Sequence, residues 1–245
     1  TEATDVPQPP VAANVPPKPE VEIPTGEVTE LTITDLTEGT GAEAADGDTV
    51  VVHYVGVRSE DGTEFDNSYD RGQPFTVTLG AGMVIPGWDQ GLVGAKQGGQ
   101  RQLDIPTDLA YGDSPQGDVI QPGDALTFVV DVVAVIPKSD PADAPTVEIE
   151  AGTTVDSLQI EELEAGEGDA VEAGQSIAFD YIFIRTDTGE QLESSWETGA
   201  PQTLPFDEAQ LPPVLFDAFD GVQVGTVRQI SIPFADASQL FELPG

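Results

Sequence analysis

"GDTVVVHYVGVRSEDG" (residues 47–62) and "GQSIAFDYIFIRTDTG" (174–189) stand 127 residues apart and read alike. Each is a β-branched and aromatic run between Gly/Asp turn formers, the pattern of a strand. Working outward at the same offset, "LTITDLTEGTG" (31–41) falls on "LQIEELEAGEG" (158–168) and "GQRQLDIP" (99–106) on "TVRQISIP" (226–233). Between 31 and 106 the identical positions number 20 of 76 with no gap, so one domain occurs twice. A short "VEI" recurs ahead of each copy, at 21–23 and 147–149.

The repeat sets the expected organisation: a Pro/Ala-rich tether over 1–20, a first domain over 21–138, a Pro/Asp linker over 139–146 and a second copy over 147–245. Two domains suit 245 residues, and 38% hydrophobic residues suffice for two modest cores. Within the first copy "PFTVTLG" alternates, and "RQLDIP" and "ALTFVVDVVAVI" are apolar and β-rich. One helix is expected around "VIPGWDQGLVGA", where Ile85, Trp88, Leu92 and Ala95 share a face. Several strands with one helix packed across them make an antiparallel α+β domain.

Charge narrows the partners. The 45 Asp+Glu against 8 Lys+Arg give a net charge of -37, which repels phosphate backbones and argues against nucleic acid. The acidic residues are scattered as on a solvated face, and none shows the Asp/Asn spacing around Gly of an EF-hand loop. With no Cys, neither disulfides nor thiol chemistry holds the fold. No apolar run reaches the ~20 residues needed to cross a bilayer. The opening "TEATDVPQPPVAANVPPKPE" has six prolines in twenty residues and reads as an extended tether. With no initiator Met, the expectation is a processed N-terminus. The protein is then extracytoplasmic, secreted or held at the cell envelope as a bacterial lipoprotein is, with any membrane anchor outside this sequence.

"EFDNSYDRGQPF" (64–75) has the turn formers of a solvated loop, yet it carries Phe65, Tyr69 and Phe75 and an acid–base pair, Asp66 and Arg71. Taken singly these residues have ordinary explanations. Buried aromatics mostly fill space, and Asp66 with Arg71 would be a surface ion pair. His53 alternates with Tyr54 along a strand and so faces away from it.

Taken in order, "VVHYVG", "FDNSYDRGQPF", "VIPGWDQGL", "GGQRQLDIP", "AYG" and "ALTFVVDV" resemble the FKBP family of peptidyl-prolyl isomerases over 29–136. The resemblance implies a twisted antiparallel sheet wrapped on a short helix, with a proline pocket between them. Carried over by position, Trp88 is the pocket floor, and Tyr54, Phe65, Phe75, Val84, Ile85, Ile120 and Phe128 are its apolar lining. Tyr111 and Asp66 turn polar groups inward, Arg71 holds Asp66, the Ile85 N–H meets a substrate carbonyl, and the loop's rings face a substrate proline. Met83 stands where the family often has an acid, and Gln116 lies in a variable flap over 112–121. Both leave ligand selectivity open. The implied function is cis–trans isomerisation of X–Pro bonds without cofactor or metal, assisting protein folding. Proline-containing polypeptides are the implied partners and macrolides the implied inhibitors. A proline-binding chaperone or scaffold without turnover is the alternative.

The same register makes the second copy degenerate. Tyr181 matches Tyr54, but Phe65 becomes Leu192, Asp66 Glu193, Arg71 Thr198, Phe75 Gln202, Trp88 Leu215 and Tyr111 Ser238. Ile85 becomes Pro212, which has no N–H to donate. The partner of Phe128 falls past residue 245, which leaves a strand edge for the linker, the "VEI" segment or another molecule to cover. This copy is also the more acidic, with 20 Asp+Glu and 2 Lys+Arg over 145–245. It is expected not to isomerise proline and to serve as a spacer, docking surface or cap.

Overall fold

The computed structural model describes residues 16–147 and 149–240, with side chains up to residue 237. Most of the expected tether therefore lies outside the described residues; Pro16–Glu20 have no regular secondary structure. The chain forms two compact units, Thr1–Lys138 and Ser139–Gly245.

In the first unit the β-rich runs become β1 (Thr32–Thr37), β2 (Thr49–Arg58), β3 (Glu64–Asn67), β4 (Phe75–Thr78), β5 (Gln100–Ile105) and β6 (Leu126–Ile136). They form one antiparallel sheet in the order β1-β5-β6-β2-β3, with β4 also on β2. This is the expected α+β architecture. β2 pairs with β6 over ten residues on one side, and with β4 and then β3 along the other. Its interior is covered on both faces, so Val50, Val52, His53, Tyr54, Val55 and Val57 are all buried.

The helix α1 spans only Pro86–Gly91, shorter than the apolar spacing implies. Leu92 caps it, and Gly94 at φ 78° turns the chain away in a conformation that β-carbon-bearing residues avoid. Trp88, Leu92 and Ala95 still bury the shared face, with Ile85 half-buried at the N-cap. α1 packs on β5 through two glycines. A Cβ on Gly87 would stand 2.4 Å from Ile105, and one on Gly91 would stand 2.7 Å from Leu103.

Arg101 fastens this contact from below. Its buried guanidinium donates to the carbonyls of Gly91 (2.9 Å), Val93 (3.0 Å) and Gly94 (3.2 Å) at the end of α1. It also makes a two-pronged bond to Asp35 on β1, at 2.7 and 3.1 Å. One cation thereby satisfies carbonyls that the helix end leaves unpaired and ties helix, β5 and edge strand together.

The second unit has β7 (Gln159–Glu164), β8 (Gln175–Phe179), β9 (Ile182–Arg185), β10 (Glu190–Ser194), β11 (Gln202–Phe206) and β12 (Val227–Ser231). Three helices, α2 (Ser195–Thr198), α3 (Pro213–Phe219) and α4 (Phe234–Leu240), complete it. Its pairings repeat those of the first unit 127 residues on. Thr32 opposite Asp104 becomes Gln159 opposite Ser231, and Thr37 opposite Gln100 becomes Glu164 opposite Val227, with the bulge kept. β9–β10 matches β2–β3, and β8–β11 matches β2–β4, in the same way. Arg228 occupies the place of Arg101 and donates to the Ala218 carbonyl at 3.1 Å.

Two features differ. Where β2 is continuous, β8 and β9 are separate; and among the described residues no strand occupies the place of β6, so the sheet remains three two-stranded ladders. The buried core there is small, built on Val171, Ile177, Phe206 and Val222. The stretch expected as a linker over 139–146 is partly folded. Ser139 donates from its N–H to the Gly199 carbonyl (3.2 Å) and from its hydroxyl to Asp180, and Asp140 caps a turn at Pro141–Asp143.

The packing of α1 on β5 yields a direct check. Gly87→Ala forces a methyl against Ile105, which is fully buried, and is expected to cost about 1–3 kcal/mol of stability. The measurement is the urea midpoint of the full chain followed by tryptophan fluorescence, which should fall.

Candidate active site

One side of the site is built from the stretch 64–75, which runs through β3, its turn and the start of β4. Asn67 organises it: its Oδ1 accepts from the Asp70 N–H at 2.7 Å, and its amide donates to Glu64 (2.6 Å) and Asp70 (2.8 Å). The Ser68 hydroxyl accepts from the Tyr54 N–H at 2.9 Å and bonds the His53 ring nitrogen Nδ1 at 2.9 Å. Gly72, at φ 64°, closes the turn by donating to the Tyr69 carbonyl at 3.0 Å. The turn formers thus pin the loop to β2, which positions its aromatic and charged residues.

Two of the loop's three rings face the site. Tyr69 does not, contrary to the expectation from resemblance. It follows Ser68 onto the face that carries His53, stacks on that imidazole at 4.9 Å and donates its hydroxyl to Asp131 of β6. Burial pushes the Tyr69 phenol far above its ordinary range. Burial also pushes the His53 ring down, against the opposing pull of Asp131. His53 lies on the far face of the sheet, as its alternation with Tyr54 requires.

Trp88 is the floor, 4% exposed, surrounded by rings set edge to face. Tyr54 stands at 5.2 Å and 89°, Phe128 at 5.3 Å and 85°, and Phe75 at 6.0 Å and 78°. Phe65 leans on Phe128 at 5.5 Å. These angles place positive ring edges against negative ring faces, the favoured aromatic arrangement. Gly56 permits it, since a Cβ there would stand 2.7 Å from Phe128 and 2.8 Å from Phe65. Val84, Ile85 and the buried Ile120 complete the apolar lining. Ile120 is held by a backbone pair with Gln116, at 3.1 and 3.3 Å, across the flap. Phe75 and Tyr111 are each 37% exposed, and Met83 is 73% exposed.

Polar groups converge on this wall. Tyr54 donates its hydroxyl to Asp66, Arg71 donates to the same carboxylate, and a second Arg71 nitrogen donates to the Tyr54 oxygen at 2.8 Å. The guanidinium carbon also lies 5.6 Å from the centre of the Tyr54 ring, a cation–π contact. Burial, then the hydrogen bond to Asp66, raises the Tyr54 phenol to about 12. Tyr111 is raised as well, by burial and then by the charge of Asp66. The Ile85 N–H precedes the helical ladder and has no acceptor among the described residues.

The sequence reading missed the anchors of this site. Asp89 on α1 accepts from the N–H groups of Gly80 (3.0 Å) and Gly82 (3.2 Å), fixing the stretch that leads to Val84 and Ile85. An acid two residues after a helix-opening Pro-Gly is the signal that was there to read.

In the second unit Tyr181 donates to Glu193, and its N–H donates to the Ser195 hydroxyl at 2.9 Å, as Tyr54 does with Asp66 and Ser68. Among the described residues no guanidinium joins that pair. Pro212 stands at the N-cap of α3, Leu192 is exposed, and Phe216 stacks on Phe206 at 4.5 Å inside the core.

Chemically, the first unit offers an apolar slot with an indole floor, a free N–H at one end and a phenol–carboxylate–guanidinium cluster at the other. Among the described residues no activated nucleophile lines it. The model of a family described as FKBP-type peptidyl-prolyl cis-trans isomerase matches residues 41–133. An FK506-binding protein of Streptomyces anulatus is 55% identical over 120 residues, 48% of this chain and 97% of that protein. An FK506-binding protein of Neisseria meningitidis serogroup C is 50% identical over 105 residues, covering 43% and 95%. Peptidyl-prolyl cis-trans isomerase FKBP15-1 of Arabidopsis thaliana is 46% identical over 112 residues, covering 45% and 72%.

The raised phenol gives a pH test. Tyr54 keeps its proton in the folded chain to about 12, whereas an unfolded phenol ionises near 10.0, so the unfolded state releases its proton first. Stability from this group is complete below pH 10.0 and is lost as pH rises to about 12. Urea midpoints across that window should fall in the wild type and fall less steeply in Tyr54→Phe.

Proposed function

The chain belongs to the FKBP-type peptidyl-prolyl cis-trans isomerases, and from that premise we propose that the aromatic slot of its first unit turns X–Pro bonds of extracytoplasmic polypeptides. The observation that carries this is the Trp88 floor, enclosed edge-on by Tyr54, Phe75 and Phe128 beside the Tyr54–Asp66–Arg71 cluster.

The chemistry asks for such a site. Rotating an amide costs about 18–20 kcal/mol because resonance stiffens the C–N bond. An X–Pro bond left alone isomerises over tens to hundreds of seconds. No bond breaks, so catalysis consists in favouring the twisted amide. Seated on Trp88 with its ring out of water, the prolyl amide has less solvent to stabilise its planar, charge-separated form. The Ile85 N–H receives a substrate carbonyl and holds the peptide while the amide turns. Asp66, fixed by Tyr54 and Arg71, and Tyr111 at the mouth supply preorganised dipoles beside the rotating carbonyl. The relatives named for FK506 binding extend the proposal to a macrolide inhibitor in the same slot, with Met83 and Gln116 at the rim tuning its affinity.

The second unit, in this reading, is a degenerate copy of the same domain that does not isomerise proline. Its pairings at the 127-residue offset support common descent. Leu215 for Trp88, Thr198 for Arg71 and Pro212 for Ile85 support the loss of activity. It serves as a spacer or docking surface for the first unit. The Pro-rich leader, which reads as an extended tether, supports an extracytoplasmic setting.

Two measurements test these proposals. The full chain should accelerate cis-to-trans conversion of a short X–Pro peptide. Trp88→Leu and Asp66→Val should each lower kcat/KM at least about ten-fold, or about 1.4 kcal/mol of transition-state stabilisation, while Tyr181→Phe leaves it unchanged. Peptide binding without acceleration would make the protein a proline-binding module instead. Cell fractionation should place the native product outside the cytoplasm; recovery from the cytosol would refute that setting.

A further inference from the structure

We propose that Asp89 is a positioning residue for prolyl binding: it holds the Ile85 N–H where a substrate carbonyl meets it, and thereby sets KM. The proposal rests on the prolyl-binding reading of the slot. Val84 and Ile85 end a stretch that leaves the buried Leu79 and is neither strand nor helix until α1 begins at Pro86. Among the described residues, the only hydrogen bonds made by backbone N–H groups between Leu79 and Trp88 are two that Asp89 accepts. They come from Gly80 at 3.0 Å and Gly82 at 3.2 Å, one to each carboxylate oxygen. Gly80 and Gly82 stand at φ 75° and 67°, the left-handed turns that let neighbouring N–H groups converge on one anion.

Asp89 grips the far end of the stretch as well. Its own N–H donates to the Ile85 carbonyl at 3.4 Å, beside the Trp88 N–H at 2.9 Å. One residue therefore clamps the backbone on both sides of Met83 and Val84, and it does so from the position next to the Trp88 floor. Packing offers no substitute at Met83, which is 73% exposed. In the second unit the counterpart of Asp89 is Phe216, which stacks on Phe206 at 4.5 Å inside the core. The stretch there is closed locally, with the Ala209 N–H donating to Asp207 at 2.9 Å. The carboxylate that reaches from helix to loop thus belongs to the unit that has the aromatic slot.

Removing the carboxylate frees the stretch without unfolding the unit. Gly80 and Gly82 are exposed, so their N–H groups turn to water, while Trp88, Leu92 and Leu103 keep the core. The Ile85 N–H is then in its receptive place for only part of the time, and apparent affinity falls by that fraction. A stretch ordered for about a tenth to a fifth of the time raises KM about five- to ten-fold. A bound peptide reorders it, so kcat keeps its value. Asn in place of Asp89 retains one acceptor oxygen and sets an amide donor against the other backbone N–H, so its effect lies between.

The test uses the full chain with a short X–Pro peptide, and the variants Asp89→Ala and Asp89→Asn. Asp89→Ala should raise KM about five- to ten-fold with kcat within about two-fold of the wild type, and Asp89→Asn should raise KM about two- to five-fold. In the peptide-free chain, NMR relaxation dispersion should find the Ile85 amide exchanging between positions in Asp89→Ala and not in the wild type, and saturating peptide should quench that exchange. If Asp89→Ala does not fold, Asp89→Asn carries the same readouts. Unchanged KM in the variants would overturn the proposal. So would a lower kcat at unchanged KM, the mark of a smaller folded fraction. The dissociation constant read from the Trp88 indole shift separates this proposal from the isomerase reading. If the wild type binds the peptide without turning it over, a constant about five- to ten-fold weaker in Asp89→Ala upholds the role of Asp89, and the isomerase reading is what fails. An equal constant refutes the role. An Ile85 amide as still in the variants as in the wild type refutes it whatever the peptide does.

Discussion

The pairing of β2 with β6 is the constraint on which the rest of the first unit depends. Opposite residues of an antiparallel ladder share a face, and alternate residues of one strand do too. The register sets Tyr54 against Val130 and Gly56 against Phe128, so one face collects Tyr54, Phe128 and the gap over Gly56 into which Phe65 and Phe128 lean. The same register sets His53 against Asp131 on the reverse face, where Tyr69 joins them. One ladder therefore separates an apolar, aromatic slot from a hydrogen-bonded polar cluster on opposite sides of a single strand.

From this the site's rigidity follows. β6 also carries β5 at its other edge, where Leu103 lies opposite Phe128, and β5 carries α1 with its Trp88 floor. Trp88, Tyr54 and Phe128 are thus positioned by neighbouring strands of one sheet, while Val84, Ile85 and Ile120 come from the connecting segments. The loop adds the charged cluster, and it is pinned through Ser68 to the backbone and side chain of β2 itself. The second unit illustrates the dependence. It keeps the peripheral ladders and the Tyr181–Glu193 pair, yet without a strand in the place of β6 among its described residues its aromatics gather elsewhere, Phe216 on Phe206 and Phe179 on Phe219.

Much of this was legible in the sequence because strands advertise themselves by composition and a repeat fixes its own register. The offset that aligned "VVHYVGVR" with "AFDYIFIR" also fixed every strand pairing of the second unit. The wall residues were legible only through resemblance, since nothing local distinguishes Phe65, which faces the slot, from Tyr69, which does not. That distinction is made by Ser68, through a contact with His53 fifteen residues away. Long-range polar anchors were likewise invisible: Arg101 joins Asp35 from 66 residues off, and Lys18 joins Glu64 from 46. The overlong helix has a different cause. Apolar spacing persists through Leu92 and Ala95 because both are buried, although the glycines around them end the helix.

If the proposed function holds, prolyl binding belongs to the slot built on the β2–β6 ladder and to no other part of the chain. It is tested most directly by titrating the labelled full chain with a short X–Pro peptide and following each backbone and indole N–H by NMR. Saturable shifts are expected to centre on the Trp88 indole, the Ile85 amide and the Tyr54 strand, with Tyr181, Leu215 and their neighbours unmoved. Shifts centred on the second unit, or on the His53–Tyr69 face with Trp88 silent, would contradict it.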